Sequence, residues 1–175
     1  MDKKIILITG GARSGKSHFA QELARKFPGP KAYLATAQAL DGEMAERIRR
    51  HRQNRPGDWE TLEEPLRIAE CIETNGSRLG LILLDCLTLW ISNLLMAKEK
   101  EERILKEADR LIQACQKTGC SLIIVGNEVG MGIVPDNPQA RVFRDLSGLI
   151  QQKIAGEADE VYFLVSGIAQ KIKGR

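Results

Sequence analysis

Eight consecutive residues near the start of the chain have the composition and spacing of a phosphate-binding loop. They fit the pattern G-x-x-x-x-G-K-[ST] without a mismatch and are Gly10, Gly11, Ala12, Arg13, Ser14, Gly15, Lys16 and Ser17. Glycines let backbone N–H groups surround phosphate oxygens, and the helix that follows points the positive end of its dipole at them. We expect Lys16 to reach the β- and γ-phosphates of a nucleotide and the Ser17 hydroxyl to ligate Mg²⁺. By itself the motif predicts nucleotide binding, not a particular reaction.

Asp85 is the candidate for a second Mg²⁺ ligand. It ends the apolar run LILLD at 81–85, which is typical of a buried strand. A carboxylate at the end of such a strand can hold the Mg²⁺ of a nucleoside triphosphate. The alternative is that Asp85 caps the helix predicted to begin near Thr88.

His51 is the candidate nucleophile. It lies among five arginines, namely Arg47, Arg49, Arg50, Arg52 and Arg55. On a helix that begins near Asp41, the residues Met44, Ile48 and His51 share one face. A neutral imidazole nitrogen can attack an α-phosphate, while guanidinium groups stabilise the charge on the phosphate oxygens. Two alternatives stay open: a histidine packed beside a core-facing stripe with solvated arginines, and a patch that binds nucleic acid.

The other histidine and the overall composition narrow the possible classes of protein. We expect His18, directly after the loop, to lie on the surface of the following helix. Among 175 residues, 43% are hydrophobic and 28% charged, which excludes a disordered, collagenous or coiled-coil chain. The net charge of +3 is too small to indicate nucleic-acid binding.

The cysteines and the longest apolar segment indicate a cytoplasmic protein without a membrane span. The four cysteines form no C-x-x-C pair and have no histidine at metal-finger spacing, so we expect free thiols in a reducing compartment. The N-terminal apolar run is too short for a signal peptide. The longest apolar stretch, 79–96, contains Asp85 and Asn93 and divides into a strand and a helix.

The elements that must position these residues alternate between strands and helices. Apolar runs predict strands at 3–9, 31–36, 79–85, 121–126 and 160–165, and a small edge hairpin with 168–173. Helical periodicity predicts helices at 16–27, 41–54, 65–73, 88–115 (interrupted near 98–102) and 140–155. This order predicts a single α/β domain over 1–175, with a mostly parallel sheet and helices on both faces.

Five segments, in fixed order along almost the whole chain, match the sequence pattern of a known family. They are GGARSGKS at 10–17, ATAQALDGEMAERIRRHRQNRP at 35–56, W-x-T-x-E at 59–63, NEVGMGIVPDN at 127–137 and VSGIAQKIK at 165–173. Together they resemble the bifunctional adenosylcobinamide kinase/adenosylcobinamide-phosphate guanylyltransferase family of cobalamin biosynthesis. The phosphate-binding loop is shared by many families, whereas the segments around His51 and at 127–137 are far more specific.

The resemblance implies two reactions, a set of binding residues and an assembly. Family members phosphorylate adenosylcobinamide with ATP or GTP, then join GMP from GTP to adenosylcobinamide phosphate through a covalent GMP–histidine, which matches His51 here. The implied partners are adenosylcobinamide, adenosylcobinamide phosphate, GTP, ATP and Mg²⁺, without nucleic acid. The resemblance also implies a RecA-like P-loop fold and a homotrimer. The implied nucleotide contacts are residues 10–17 together with Ala35, Thr36, Ala37, Arg52, Gln53, Asn54, Arg55, Glu63 and Asp85.

The chain departs from the family at two places, and one further pair of residues is a candidate for contact with substrate. Some family members carry a second histidine directly before the nucleophile, where this chain has Arg50. The pair Ala169-Gln170 also differs from the family, which leaves the role of the C-terminal tail open. Asn127 and Glu128 follow a predicted strand, where ligands bind in open α/β sheets, so they are candidates for contact with substrate; capping of a turn by Asn127 is the alternative.

Rival functions are a kinase without guanylyl transfer and a nucleotide switch or nucleic-acid-stimulated ATPase.

Overall fold

The protein is built on a central β-sheet with helices on both faces. The computed structural model describes residues 2–53 and 57–174, apart from the side chains of Arg47 and His51. Its strands are β1 (Ile5–Gly10), β2 (Lys31–Ala35), β3 (Glu60–Glu63), β4 (Leu81–Asp85), β5 (Ser121–Val125), β6 (Glu160–Val165) and β7 (Ile168–Lys173). Its helices are α1 (Lys16–Arg25), α2 (Gly42–Gln53), α3 (Ile68–Asn75), α4 (Leu87–Met96), α5 (Glu101–Lys117) and α6 (Pro138–Glu157).

The strand order decides which residues meet at the carboxyl edge of the sheet. The order is β3-β2-β4-β5-β1-β6-β7, with β7 antiparallel to β6 and the other pairs parallel. Strand β5 therefore lies between β1, which leads into the phosphate-binding loop, and β4, which ends at Asp85. Because the carboxyl ends of parallel strands meet at one edge, the loop, Asp85 and the residues after β5 converge there.

Two hydrophobic cores, one on each face of the sheet, hold the strands in place. In β1, Ile5 and Leu7 join the core beneath α3, α4, α5 and α6, whereas Ile6 and Ile8 join the core beneath α1. A strand buried on both faces is apolar at every position, which explains the continuous run at the start of the chain. Among the described residues, no helix combines the length and the apolar character needed to cross a bilayer.

The predicted α/β class, with a mostly parallel sheet and helices on both faces, is confirmed. The predicted interruption near 98–102 separates α4 from α5, and the predicted C-terminal hairpin is formed by β6 and β7. The sequence reasoning missed β3, whose residues ETLE are mostly exposed and lack an apolar run. An edge strand of this kind is recognisable only by its pairing with β2.

Candidate active site

The phosphate-binding loop joins β1 to α1 and has the backbone that its glycines were expected to allow. Gly10 has a φ of 148°, and a Cβ there would lie 2.4 Å from the carbonyl oxygen of Leu164 in β6. Gly15 has a φ of 92° and precedes α1 without a side-chain cap on the helix. The first N–H groups of α1 are therefore available to an anion. Gly11, Ala12 and Arg13 form the exposed turn of the loop.

The amine of Lys16 is hydrogen-bonded to the phosphate-binding loop itself. Its amine donates to the Gly11 carbonyl oxygen at 2.5 Å and lies 3.4 Å from the Ser14 hydroxyl. Both Lys16 and Ser14 are buried. A positive charge in a buried position interacts more strongly with an anion than it would in water, so this position favours an anionic ligand on the loop.

Ser17 and Asp85, predicted separately as Mg²⁺ ligands, are in direct contact. The Ser17 hydroxyl donates to Oδ2 of Asp85 at 2.7 Å, and the Tyr33 hydroxyl donates to the same oxygen at 2.6 Å. The N-cap position of α4 is Cys86, and no side chain caps that helix, so the alternative role of Asp85 as a cap is not seen.

The oxygens at this position suit Mg²⁺. Mg²⁺ prefers oxygen ligands and is usually bound by one or two carboxylates, several waters and the substrate phosphates. One carboxylate and one hydroxyl beside the phosphate-binding loop match that pattern. Among the described residues no cluster of three or more His, Cys, Asp or Glu side chains could form an all-protein metal cage.

A cavity of about 400 Å³ opens beside these groups, within the usual size range of a ligand site. The loop residues from Arg13 to Ser17 and Asp85 form its polar side. Its apolar walls come from Ala35 at the end of β2, Ala37 just after that strand, Leu89 of α4 and Val125 of β5. His18 is exposed, as expected, and also lines the cavity.

Helix α2 supplies the remaining wall of the cavity through Met44 and Ile48. The helix begins where the sequence predicted it, since Oδ1 of Asp41 accepts the backbone N–H of Met44 at 2.7 Å. Helical periodicity puts position 51 on the same face, one turn after Ile48. The backbone of His51 is part of α2, and its side chain lies outside the described part of the structure.

The arginines of α2 whose side chains are described bind carboxylates of the protein. Arg49 and Arg50 both donate to Glu46, and these hydrogen bonds lower the pKa of Glu46 to about 2. Arg52 forms an ion pair with Glu63 of β3, so two predicted nucleotide contacts meet each other. None of these five side chains lines the cavity described above. A nucleotide that used Arg52 would have to compete with Glu63 for it.

The remaining predicted contacts differ in their access to the cavity. Thr36 is fully buried, and its hydroxyl both donates to the Cys86 carbonyl oxygen at 2.8 Å and accepts the Cys86 N–H at 2.9 Å. Its side chain therefore holds β2 against β4 instead of facing the cavity. Gln53 is exposed at the end of α2, and Asn54 and Arg55 lie outside the described residues.

Three features of the site were not found from the sequence. Tyr33, the hydrogen-bond donor to Asp85, lies within the apolar run of β2, and nothing in that run distinguishes it from the core residues beside it. The turn of the β6–β7 hairpin supports the loop, because the Gly167 N–H donates to the Ser14 carbonyl oxygen at 3.0 Å. Glu128, not Asn127, caps the turn that follows β5, where it accepts the N–H of Met131 at 3.1 Å.

All four cysteines are free, as expected. Cys86 is next to Asp85, and burial, followed by the charge of Asp85, raises the pKa of its thiol to about 11. At neutral pH it is therefore a protonated thiol and not a nucleophile.

Comparison with known proteins adds independent findings. The family described as cobinamide kinase / cobinamide phosphate guanyltransferase matches residues 6–172. The bifunctional adenosylcobalamin biosynthesis protein CobU of Escherichia coli K12 is 42% identical over 181 residues, covering 97% of this chain and 99% of that protein. The protein of the same name from Salmonella typhimurium LT2 is 44% identical with the same coverage. The bifunctional adenosylcobalamin biosynthesis protein CobP of Pseudomonas aeruginosa is 42% identical over 168 residues, covering 96% of each chain.

Proposed function

The chain belongs to the cobinamide kinase / cobinamide phosphate guanyltransferase family, and from that membership we propose how its cavity serves both reactions. The enzyme phosphorylates the aminopropanol hydroxyl of adenosylcobinamide with ATP or GTP. It then joins GMP from GTP to the new phosphate and releases pyrophosphate, which gives adenosylcobinamide-GDP. We assign both steps to one domain, residues 1–175, since every described strand belongs to a single sheet.

In the kinase step the chain positions the nucleotide and balances its charge. The loop residues 10–17 bind the triphosphate through backbone N–H groups, and Lys16 contacts the β- and γ-phosphates. Ser17 and Asp85 would hold the Mg²⁺ ion, which neutralises charge on the phosphate oxygens when bound. Tyr33 keeps the Asp85 carboxylate in place through its hydroxyl. Such a step needs positioning and electrostatic stabilisation but no covalent chemistry on the protein.

In the guanylyl step His51 acts as the nucleophile. A ring nitrogen attacks the α-phosphorus of GTP; the P–N bond forms, the bond to the β-phosphate breaks, and pyrophosphate leaves. A phosphate oxygen of adenosylcobinamide phosphate then attacks the same phosphorus, which breaks the P–N bond and restores the imidazole. The placement of α2 supports this role, because Met44 and Ile48 line the cavity and position 51 follows on the same face.

The arginines near His51 are proposed to bind phosphate oxygens once a nucleotide is present. Arg52 would exchange Glu63 for a phosphate, and both are more than half exposed, so the exchange costs little. The end of α2, around Arg52, would then change position when GTP binds. Limited proteolysis with and without GTP tests this: a different rate of cleavage in this segment is expected, and identical rates would argue against the change.

The observation that carries the proposal is that one cavity brings together Lys16, Ser17, Asp85 and the helix bearing His51. A kinase without guanylyl transfer would need the first three alone. Incubation with GTP labelled at the α-phosphate distinguishes the two functions. We expect an acid-labile protein adduct and release of pyrophosphate in the wild type.

Histidine variants locate that adduct. His51→Ala is expected to lose the label and at least about 10³-fold of the guanylyl transfer rate, yet to keep phosphorylating adenosylcobinamide from γ-labelled ATP. His18→Ala is the matched control, because His18 also lines the cavity and should leave the adduct in place. Equal labelling of the wild type and His51→Ala would refute the nucleophile, and labelling lost only in His18→Ala would move it to the other imidazole.

The assembly and the compartment are proposed from the resemblance, the exposed residues of the β6–β7 hairpin and the state of the cysteines. We propose a homotrimer, as the resemblance implies. The β6–β7 hairpin exposes Val165, Ile168 and Ile172, and exposed aliphatic side chains on an edge hairpin favour association. Sedimentation equilibrium should then give three times the chain mass, and a monomer or dimer would contradict the trimer. The four free thiols suit the reducing cytoplasm.

A further inference from the structure

Asn127 lies at the carboxyl end of β5 and lines the cavity. The strand order puts β5 between the strand that leads into the phosphate-binding loop and the strand that ends at Asp85. A side chain in this position is close to the end of the triphosphate that Lys16 and the Mg²⁺ ligands would hold. Its chemistry can therefore act on the phosphoryl group that is transferred or on the group that accepts it.

The carboxamide of Asn127 is oriented by Thr88 of α4, a buried residue. The Asn127 Nδ2 donates to Oγ1 of Thr88 at 2.9 Å, and the Asn127 backbone N–H donates to the same oxygen at 3.4 Å. A hydroxyl has two lone pairs and one hydrogen. Both lone pairs of Thr88 can thus accept from Asn127, and Oγ1 of Thr88 also lies 3.3 Å from Sγ of Cys86, toward which Nδ2 of Asn127 donates at 3.9 Å. The network thus assigns Nδ2 to the Thr88 side and Oδ1 to the opposite side.

The backbone of Asn127 is held as firmly as its side chain. Its carbonyl oxygen accepts from Nε2 of Gln151 at 3.0 Å, and Gln151 in turn accepts the Thr9 hydroxyl at 2.7 Å. The next N–H, that of Glu128, donates to the Gly10 carbonyl oxygen at 2.9 Å. Asn127 is therefore fixed relative to the first glycine of the phosphate-binding loop, which is the kind of preorganisation that a reacting group needs.

The oxygen Oδ1 of Asn127 is left as an acceptor that no described residue satisfies. Nucleotide phosphates also offer acceptors, so Oδ1 suits a ligand hydroxyl. We propose that Oδ1 of Asn127 accepts the hydroxyl hydrogen of the alcohol that receives the γ-phosphoryl group, and so aligns that oxygen for attack. This assignment rests on the proposed kinase step and adds to it a residue that contacts the second substrate.

This phosphoryl transfer needs no general base on the protein. The alcohol oxygen forms a bond to the γ-phosphorus while the bond from that phosphorus to the β–γ bridging oxygen breaks, and the nucleoside diphosphate leaves. The hydroxyl hydrogen passes to an oxygen of the transferred phosphoryl group, since a neutral amide orients a proton but does not take it. The Glu128 carboxylate is engaged by the N–H groups of Gly130 and Met131 in the loop turn.

Asn127→Leu tests the proposal, because leucine keeps the approximate size and removes the acceptor. We expect kcat for phosphorylation of adenosylcobinamide to fall about 100-fold, as for a misaligned reactant, with KM for ATP changed less than about threefold. The rate of guanylyl transfer to added adenosylcobinamide phosphate should fall at least about tenfold less than the rate of phosphorylation, because the acceptor in guanylyl transfer is a phosphate oxygen and not an alcohol. The fraction of ATP lost to water in place of the alcohol should rise.

Equal loss of both steps, or full phosphorylation by Asn127→Leu, would overturn the proposal. A selective change in KM for GTP would also overturn it, since Oδ1 would then contact the guanine base. If the wild type itself does not phosphorylate adenosylcobinamide, the proposed kinase function fails, which is a different result. Thermal unfolding and nucleotide binding of each variant are measured alongside the rates.

Thr88→Val provides a second test that leaves Asn127 in the chain. It removes the hydroxyl that orients the carboxamide, and phosphorylation should fall about tenfold. The matched control is Thr118→Val, because Thr118 has the same kind of hydroxyl–thiol contact, 3.4 Å from Cys120, before β5 at the opposite edge of the sheet. The double variant Thr88→Val/Asn127→Leu should be no slower than Asn127→Leu alone. Additive losses would show that Thr88 does not act through Asn127 and would overturn its positioning role.

Discussion

The phosphate-binding loop and helix α2 border the same cavity, but the fold holds them in different ways. The loop is fixed by hydrogen bonds that are at least partly shielded from solvent in two cases: Lys16 bonds within the loop and Ser17 bonds to Asp85, while the β6–β7 turn supports Ser14. Among the described side chains of α2, by contrast, none is fully buried, and its arginines bind carboxylates at the surface.

This difference matches the demands of the two proposed reactions. Phosphoryl transfer depends on groups that are in position before the substrate arrives, so it gains from a rigid loop. A histidine that carries GMP from one substrate to another gains from a helix with few buried contacts, because such elements open at low free energy. We therefore predict that substitutions in the loop slow both reactions, whereas substitutions in α2 slow guanylyl transfer alone.

The largest effect is expected from Lys16→Met. Removal of the buried amine should slow phosphorylation and guanylyl transfer by about 10³-fold each, because both use a triphosphate on the loop. The assays are transfer from γ-labelled ATP and from α-labelled GTP. Lys26→Met, an exposed lysine at the other end of α1, is the control and should match the wild type. Loss of only one reaction would show that the two steps do not share the loop.

Glu160→Gln should weaken the whole fold without touching the cavity. Burial alone would raise the pKa of Glu160, but hydrogen bonds from Lys4, Tyr162 and Lys171 outweigh it and lower the pKa to about 2. A carboxyl whose pKa is lower in the folded state than in the unfolded state stabilises the protein at pH values above its pKa in the unfolded state. That stabilisation is about 3 kcal/mol at pH 7 and is lost as pH falls from about 4.5 to about 2.

Urea unfolding of the wild type and Glu160→Gln at pH 7 and at pH 2 measures this difference. The free energies of unfolding should differ at pH 7 and converge at pH 2. In hydrogen exchange, β1 and α1 should lose protection in the variant, whereas α2 should not, because α2 opens locally. An equal loss of protection in α2 would show that α2 unfolds only together with the core and does not open locally.

Tyr33→Phe tests how much of the rigidity of the loop region comes from outside the motif. Without the tyrosine hydroxyl, Asp85 keeps only the Ser17 donor among the bonds described for Oδ2, and the Mg²⁺ concentration for half-maximal phosphorylation should rise about tenfold. Tyr162→Phe is the control, since that hydroxyl bonds to Glu160 at 2.6 Å. An unchanged Mg²⁺ requirement in Tyr33→Phe would show that Ser17 alone orients the carboxylate.

The same contrast explains what could be predicted from the sequence. The positions of the loop and of Asp85 were predictable because they follow from local patterns, a glycine motif and a carboxylate at the end of an apolar strand. Tyr33, Thr88 and Gln151 were not, because their roles depend on which strands and helices are neighbours, and an apolar run does not encode strand order. The short polar strand β3 was missed for the same reason. Glu63 was assigned to nucleotide through the resemblance, and its ion pair with Arg52 depends on the packing of α2 beside β3.

Asp41→Ala is expected to have the smallest effect and tests α2 most directly. Loss of the N-cap bond to Met44 should cost about 1 kcal/mol. Because α2 has few buried contacts, we expect the cost to appear as faster hydrogen exchange in α2 and slower guanylyl transfer, with the midpoint of urea unfolding nearly unchanged. Asn137→Ala is the matched control, since Asn137 caps α6 by accepting from Gln139 and Ala140. Helix α6 has a buried face in the core, so the same chemical loss there should lower the unfolding midpoint. If both variants lower that midpoint equally, α2 belongs to the cooperative core, and the mobility proposed for the histidine helix must be given up.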